Sequence, residues 1–265
     1  MQKLKNKPLV SIIINCHNGE EFLLQAIKSV LKQTYKNWEI IFFDNNSNDN
    51  SVEILKKFKD KRIKIYIKKN KSLLPLYQAR NLAIQKAKGT FITFLDVDDT
   101  WEKNKLAEQI HLSNKYPSEK IFYSNYNIFD QEQKKSFLKF RYTLPSGYIT
   151  QSLLNDYCIG ILTVFINKKI FKKNKFNEKY NVIGDFDLLI KLSERFKIIP
   201  SQKPLANYRV HKSNYSKNIE IYLSEMLSWY RNNKKKLKLK KMSLLNIQYL
   251  IFKLRIKILI KKYII

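Results

Sequence analysis

Short apolar runs that stop abruptly at clusters of Asn, Asp, His or Gly constrain this chain more than any other feature. Val10-Ser11-Ile12-Ile13-Ile14 gives way to Asn15-Cys16-His17-Asn18-Gly19, and Glu39-Ile40-Ile41-Phe42-Phe43 to Asp44-Asn45-Asn46-Ser47-Asn48-Asp49. Phe91-Ile92-Thr93-Phe94-Leu95 runs into Asp96-Val97-Asp98-Asp99, and Ile63–Ile67 is a further strand-like run. Runs without polar alternation suit strands buried on both faces. Between them Phe22, Leu23, Ala26, Ile27, Val30 and Leu31 recur at helical spacing, predicting a helix over about 20–33. Further helices are expected over about 51–59 and 75–87. Alternating β and α units imply a mostly parallel sheet covered by helices on both faces. Ligands of such sheets bind beyond the carboxyl ends of the strands. That edge is where the polar loops 15–19, 44–49 and 96–99 converge.

The tetrad Asp96-Val97-Asp98-Asp99 carries the most chemistry. Carboxylates a few ångströms apart repel and raise one another's pKa, a cost that a divalent cation removes. Oxygen ligands with no nearby Cys or His favour a hard ion, Mg²⁺ or Mn²⁺, shared with substrate phosphates. Taken alone, the tetrad is equally an acidic loop. Its place beside two other polar strand ends favours a site for a phosphate-bearing ligand.

The 265 residues suffice for one large domain, or for one domain with an appendage, and 44% hydrophobic content supplies a core. Cys16 and Cys158 lie far apart and form no metal pattern, which points to a reducing compartment without disulfides. Met1 to Pro8 lacks the apolar segment of a secretion signal. No stretch reaches the roughly 18 uninterrupted apolar residues of a membrane span. A net charge of +29 calls for an anionic partner: nucleic acid, a phosphorylated substrate or an acidic membrane. Glu225 is the last acidic residue, and the 40 positions after it hold 12 Lys or Arg, so the excess gathers in a tail. No nucleic-acid-binding motif organises these charges, which leaves a basic nucleic-acid-binding protein as the alternative from another functional class.

The second half is less regular. Strands are expected near 121–128, 161–166 and 205–210, and helices near 149–156, 168–173 and 184–196. From about 218 the chain reads as helical. In the last segment Asn246, Lys253, Lys257 and Lys261 form one polar stripe, and Gln248, Arg255 and Lys262 another. The two apolar stripes between them suit a helix that packs on the protein with one face and meets lipid with the other. Strict alternation from Phe252 to Ile258 leaves a strand as the competing reading.

Several motifs in one order resemble the family 2 glycosyltransferases, inverting enzymes of the GT-A fold. They are the segments Val10–Asn18, Ser29-Val30-Leu31-Lys32-Gln33-Thr34-Tyr35, Glu39–Asn45 and Ala79-Arg80-Asn81-Leu82-Ala83, then Gly89 and the acidic tetrad. Gly184-Asp185-Phe186-Asp187-Leu188 and Pro204 to His211 extend the likeness over about residues 8–215. The resemblance implies an α/β GT-A fold, a Rossmann-like and mostly parallel sheet flanked by helices. It places a catalytic domain over 1–215, with a nucleotide-sugar half over about 1–100 and an acceptor half over 101–215. A basic helical tail over 216–265 completes the chain.

In that pattern Asp44 and Asn45 contact the nucleobase and ribose, Asp96 faces the ribose, and Asp98 binds Mn²⁺ or Mg²⁺ on the donor diphosphate. Asn15, His17, Asn18 and Arg80 belong to the same nucleotide-sugar site. Asn45 stands where relatives often carry a second Asp, which weakens the preference for UDP. His17 stands where they often carry Tyr, so it either stacks on the base or caps its loop. The base that deprotonates the acceptor hydroxyl is Asp185, preceded here by Gly184 where relatives usually have Glu. Asp187 reads as helix capping. Strand alternation puts Arg209 and His211 on one face, Arg209 toward the diphosphate and His211 toward metal or phosphate.

The expected activity is metal-dependent, inverting transfer from a nucleotide-sugar, with UDP-sugars favoured. The acceptor is a lipid-linked or bacterial cell-surface glycan precursor such as those of lipopolysaccharide or capsule. A soluble acceptor is the alternative within the fold. The expected location is cytoplasmic, peripheral on the inner face of the membrane with its anionic surface, and no nucleic-acid partner is expected. The sequence is silent on oligomeric state.

Overall fold

The computed structural model describes residues 7–68, 72–214 and 217–263. The first half repeats strand and helix as the periodicities require: β1 (Val10–Cys16), α1 (Glu20–Leu31), β2 (Trp38–Asp44), α2 (Ser51–Lys56), β3 (Ile63–Ile67), α3 (Leu76–Lys86) and β4 (Phe91–Phe94). Then come β5 (Thr100–Trp101), α4 (Lys105–Lys115), β6 (Ile121–Asp130), β7 (Lys135–Leu138), α5 (Thr150–Asn155), β8 (Phe165–Asn167), α6 (Gly184–Ser193) and β9 (Ile198–Val210). Two long helices, α7 (Ile219–Leu239) and α8 (Leu245–Tyr263), end the described chain.

The strands form one sheet in the order β3-β2-β1-β4-β8-β6-β9-β5, with β7 hairpinned onto β6. β3, β2, β1 and β4 are parallel; β8 is antiparallel to both its neighbours, while β6 and β9 run parallel. Because β1 is apolar on both faces, Ile12 and Ile14 join the core under α1 and α4, while Ile13 joins the core under α3, α5 and α6. The carboxyl ends of β1, β2 and β4 therefore share one edge, and the three polar loops converge there as expected.

Local chemistry accounts for the departures. The strand expected over 161–166 is split into a 3₁₀ turn, Ile161–Thr163, and the short β8. Thr163 Oγ1 donates to the Gly160 carbonyl at 2.7 Å, and such short-range bonds compete with a ladder. The segment alternating from Phe252 to Ile258 lies inside α8, where Ile251 and Leu254 pack into the core at helical spacing. The helix expected to 59 ends at Lys56, before a turn in which Asp60 accepts from the Arg62 amide.

The boundary expected at 215–216 falls outside the described residues, as do Ile264 and Ile265 of the tail. The tail itself is not a detached appendage. Met226, Trp229 and Leu237 of α7 and Ile247 and Ile251 of α8 belong to the same core as α6. Trp229 Nε1 donates to Asp187 at 3.1 Å, and Lys236 and Lys240 pair with Glu194. Asp187, also paired with Lys191 at 2.6 Å, ties α6 to α7 rather than capping a helix. No described helix is long and apolar enough to cross a membrane.

Glu225 makes the tail's most specific contact. Its buried carboxylate accepts from the amides of Asn181 (2.6 Å), Val182 (2.9 Å) and Ile183 (3.1 Å), the segment that leads into α6. Charge-assisted bonds to backbone donors at a helix start are among the stronger polar contacts. Glu225→Ala is expected to cost about 2–3 kcal/mol in urea denaturation, and Glu225→Gln roughly half that, because the amide retains one acceptor.

Candidate functional site

At the ends of β1 and β2 two buried polar side chains carry atoms without a hydrogen-bond partner among the described residues. Neither side-chain polar atom of Asn15 is hydrogen-bonded, and Asp44 Oδ1 is also unpaired, while Asp44 Oδ2 accepts from the Ser47 amide at 3.2 Å. Buried polar groups are normally satisfied, so unpaired ones at a strand edge point to a ligand. Their neighbours are occupied in shaping the loops. Asn45 is clasped by the Leu74 backbone, donating at 2.9 Å and accepting at 3.1 Å. Asn18, in a left-handed conformation with φ 54, receives the Asn48 amide at 2.9 Å and donates its own amide to Ser47. The His17 ring is exposed, with Nδ1 3.1 Å from the Asn45 carbonyl.

The tetrad lies just after β4, and each of its carboxylates has a different partner. Asp96, partly exposed, takes a 2.6 Å ion pair from Arg80 of α3, whose side chain is only 2% exposed. Asp98 Oδ2 lies 3.0 Å from His211 Nε2 and accepts from Asn214 at 3.3 Å. Burial, then the neighbouring Asp96 charge, pushes the Asp98 carboxyl up. Asp99 is buried, pushed well above the usual range by burial and by Asp98; Oδ1 accepts from the Arg209 amide, and Oδ2 has no hydrogen-bond partner among the described residues.

Arg209 is held by the protein at three points. Its Nε donates to the Asp98 carbonyl at 2.8 Å and its terminal nitrogens to Gln131 and Gln25, with Phe22 and Phe129 against the guanidinium. These bonds use three of the five guanidinium N–H donors, so two terminal N–H groups remain for the diphosphate contact expected of it. Arg209 and His211 both reach the tetrad, as strand alternation requires.

Among the described residues no group of three or more His, Cys, Asp or Glu is placed to cage a metal. The Asp98–His211 pair is nonetheless a fitting half-shell. The Asp98 carboxylate beside that of Asp96 suits a hard ion whose remaining ligands come from phosphate and water, and His211 Nε2, 3.0 Å from Asp98 Oδ2, stands next to it.

Asp185 opens α6, and burial raises its pKa against the opposing charge of Arg80. Tyr77 of α3 donates to Oδ1 at 3.0 Å and Tyr157 to Oδ2 at 3.3 Å. A Cβ at position 184 would stand 2.4 Å from the Tyr77 ring, which explains why Gly184 replaces the larger residue expected there. Asp185 lines a cavity of about 840 Å³ whose walls come from α5, α6, α7 and α8.

Arg80 thus links two groups of residues: Asp96, Asp98, Arg209 and His211 at the strand ends, and Asp185 with its tyrosines beside the cavity. Tyr77 lies three residues before Arg80 on one helix face, a spacing that could have drawn attention to it. Tyr157, Asn214 and Glu225 carry no comparable signal.

Residues 11–186 match the family model described as glycosyl transferase family 2. The chain is 33% identical over 212 residues to the Escherichia coli UDP-Glc:alpha-D-GlcNAc-diphosphoundecaprenol beta-1,3-glucosyltransferase WfgD, covering 79% of this chain and 80% of that protein. It is 36% identical over 214 residues to the E. coli enzyme of the same description, WfaP, with the same coverage. Among solved structures, S. aureus TarS 1-349 in complex with UDP-GlcNAc superposes with a TM-score of 0.62 at 17% identity, over 83% of this chain and 66% of that one. That likeness concerns the fold, which is GT-A. With the polar loops on one strand edge and the family model spanning that edge through α6, the chain belongs to glycosyl transferase family 2 and is a glycosyltransferase.

Proposed function

We propose that the protein transfers a sugar, with inversion, from a UDP-sugar to a hydroxyl of a lipid-linked glycan precursor of the bacterial cell surface. The observation that carries this reading is Asp185: a carboxylate of raised pKa, held by two tyrosines, on a cavity large enough for a sugar and joined electrostatically through Arg80 to the tetrad. The relatives that act on a diphosphoundecaprenol-linked sugar with UDP-Glc support the donor and acceptor class.

The unpaired atoms of Asn15 and Asp44 suit the nucleobase and ribose, with the exposed His17 ring on the same loop; Asn18 and Asn45 hold the loops that present them. Arg80 orients Asp96 toward the ribose. Asp98 and His211 would hold Mn²⁺ or Mg²⁺, which when bound supplies charge neutralisation for the departing nucleoside diphosphate. Arg209 fixes the tetrad loop through the Asp98 carbonyl and turns its remaining N–H groups to the diphosphate. Asp185 takes the acceptor hydroxyl's proton as that oxygen bonds the anomeric carbon and the bond from that carbon to the diphosphate oxygen breaks. The apolar stripe of α8 and its flanking lysines support a position on the inner, anionic face of the cytoplasmic membrane.

The base must be ionised, so kcat/KM should fall as pH drops through the Asp185 pKa, with a limb above the ordinary carboxylate value of about 4. The Tyr77 hydrogen bond opposes the upward shift. Tyr77→Phe should therefore move the limb to higher pH, and Gly184→Ala, which displaces the same ring, should move it in the same direction. Asp185→Asn should lower kcat by about 10³-fold while leaving UDP binding intact; near-normal turnover in that variant would remove Asp185 from its role. In thermal melts, UDP with Mn²⁺ should stabilise the wild type and lose most of that effect in Asp98→Asn. Equal stabilisation of both proteins would refute the metal assignment.

A further inference from the structure

Helix α8 has two apolar stripes with opposite fates. Ile247, Ile251 and Leu254, with Leu244 just before the helix, are buried against the core. Leu245, Tyr249, Phe252, Ile256, Leu259 and Ile260, also at three- and four-residue spacing, are exposed by 39–71%. On one flank between them, Asn246, Leu250 and Lys253 line the Asp185 cavity, and Tyr249 belongs to both the cavity wall and the exposed stripe. The cavity thus runs from the carboxylate of Asp185 to the margin of an apolar surface.

Two cations stand on that wall. Lys253 lies over the Tyr249 ring at 4.5 Å, and Lys139, after β7, lies by the Phe140 ring at 5.5 Å; both are exposed. No ion pair is found for either among the described residues. The cavity's other carboxylate, Asp156, accepts from the Tyr142 hydroxyl at 2.6 Å. A base and ammonium groups on one cavity wall, with an apolar stripe at its margin, match the chemistry of a sugar hydroxyl, a diphosphate and a polyprenyl chain.

We infer that the cavity is an acceptor subsite in which Lys139 and Lys253 bind the diphosphate of a lipid-linked sugar, while its chain leaves along the exposed stripe of α8. This rests on the glycosyltransferase reading above and adds the part of the acceptor that these residues read. Helix α8 is then a wall of the acceptor site as well as a membrane contact.

The test uses the full chain with two soluble acceptors and no vesicles: α-N-acetylglucosamine linked to decyl diphosphate, and the same sugar on a plain decyl chain. The wild type should show a KM at least about tenfold lower for the diphosphate acceptor. The double variant Lys139→Gln/Lys253→Gln should erase most of that difference by raising KM for the diphosphate acceptor alone. Lys139→Arg/Lys253→Arg should keep it, which separates loss of charge from loss of fold. Equal KM values for the two acceptors in the wild type, or equal losses on both in the Gln variant, overturn the assignment. A defect seen only after phosphatidylglycerol vesicles are added assigns the lysines to headgroups and also overturns it. A wild type that turns over no UDP-sugar even by hydrolysis, and is not stabilised by UDP, removes the function itself and this subsite with it.

Discussion

The buried guanidinium of Arg80 is the contact on which the candidate site depends. It is paired with Asp96 at 2.6 Å, lies near the rings of Tyr77, Phe94 and Phe176, and opposes the burial-driven rise in the Asp185 pKa. A buried cation without its carboxylate is costly, because burial removes water that nothing replaces. The same holds for carboxylates gathered without a cation. Arg80 and the acidic residues around it therefore stabilise one another, and the tetrad loop cannot shift relative to α6 without separating charges. The rings around the guanidinium confine it sterically as well as electrostatically.

A second feature is that late segments fasten early ones. Arg209 joins the tetrad to Gln25 of α1 and to Gln131 after β6, and Glu225 of α7 gathers three amides ahead of Asp185. Each side chain makes several bonds at once, so its rotamer entropy is lost once for several contacts. The candidate base and the candidate metal pair are thus positioned from outside their own segments. This is why α7 and α8 cannot be treated as an accessory: they supply part of the core and one wall of the cavity.

The parts of the site that are legible in the sequence are those carried by local pattern. β1, β2 and β4 announce themselves because strands buried on both faces leave unbroken apolar runs, and their polar ends mark the edge by composition alone. Asp98 and His211 can be read as neighbours, although 113 positions separate them, because a strand leading back to that edge ends just before the histidine. Side chains that recruit distant backbone stay hidden. That Leu74 holds Asn45, and that Gln25 and Gln131 hold Arg209, shows only in the structure. Tyr157 lies in an irregular segment, and nothing about it in one dimension marks a partner of Asp185. The strand expected over 161–166 fails because Thr163 turns the backbone with its own hydroxyl, a local competition that apolar content does not register.

The tail shows how one helix can meet three requirements with one sequence. Its buried stripe must match the α5, α6 and α7 surface, its flank must leave an open cavity, and its outer stripe remains apolar in contact with solvent. A helix selected only for packing would carry polar residues at Tyr249, Phe252, Ile256 and Leu259, where exposure of apolar surface contributes nothing to the fold. A helix selected only for solubility would not place Ile247 and Leu250 beside the cavity. The net charge of +29 fits the same logic, since Lys236 and Lys240 answer Glu194 while most of the tail's other basic residues face outward. Apolar surface bordered by such charge is favoured where an anionic interface replaces water, and that is also where a lipid-borne acceptor would reach the cavity.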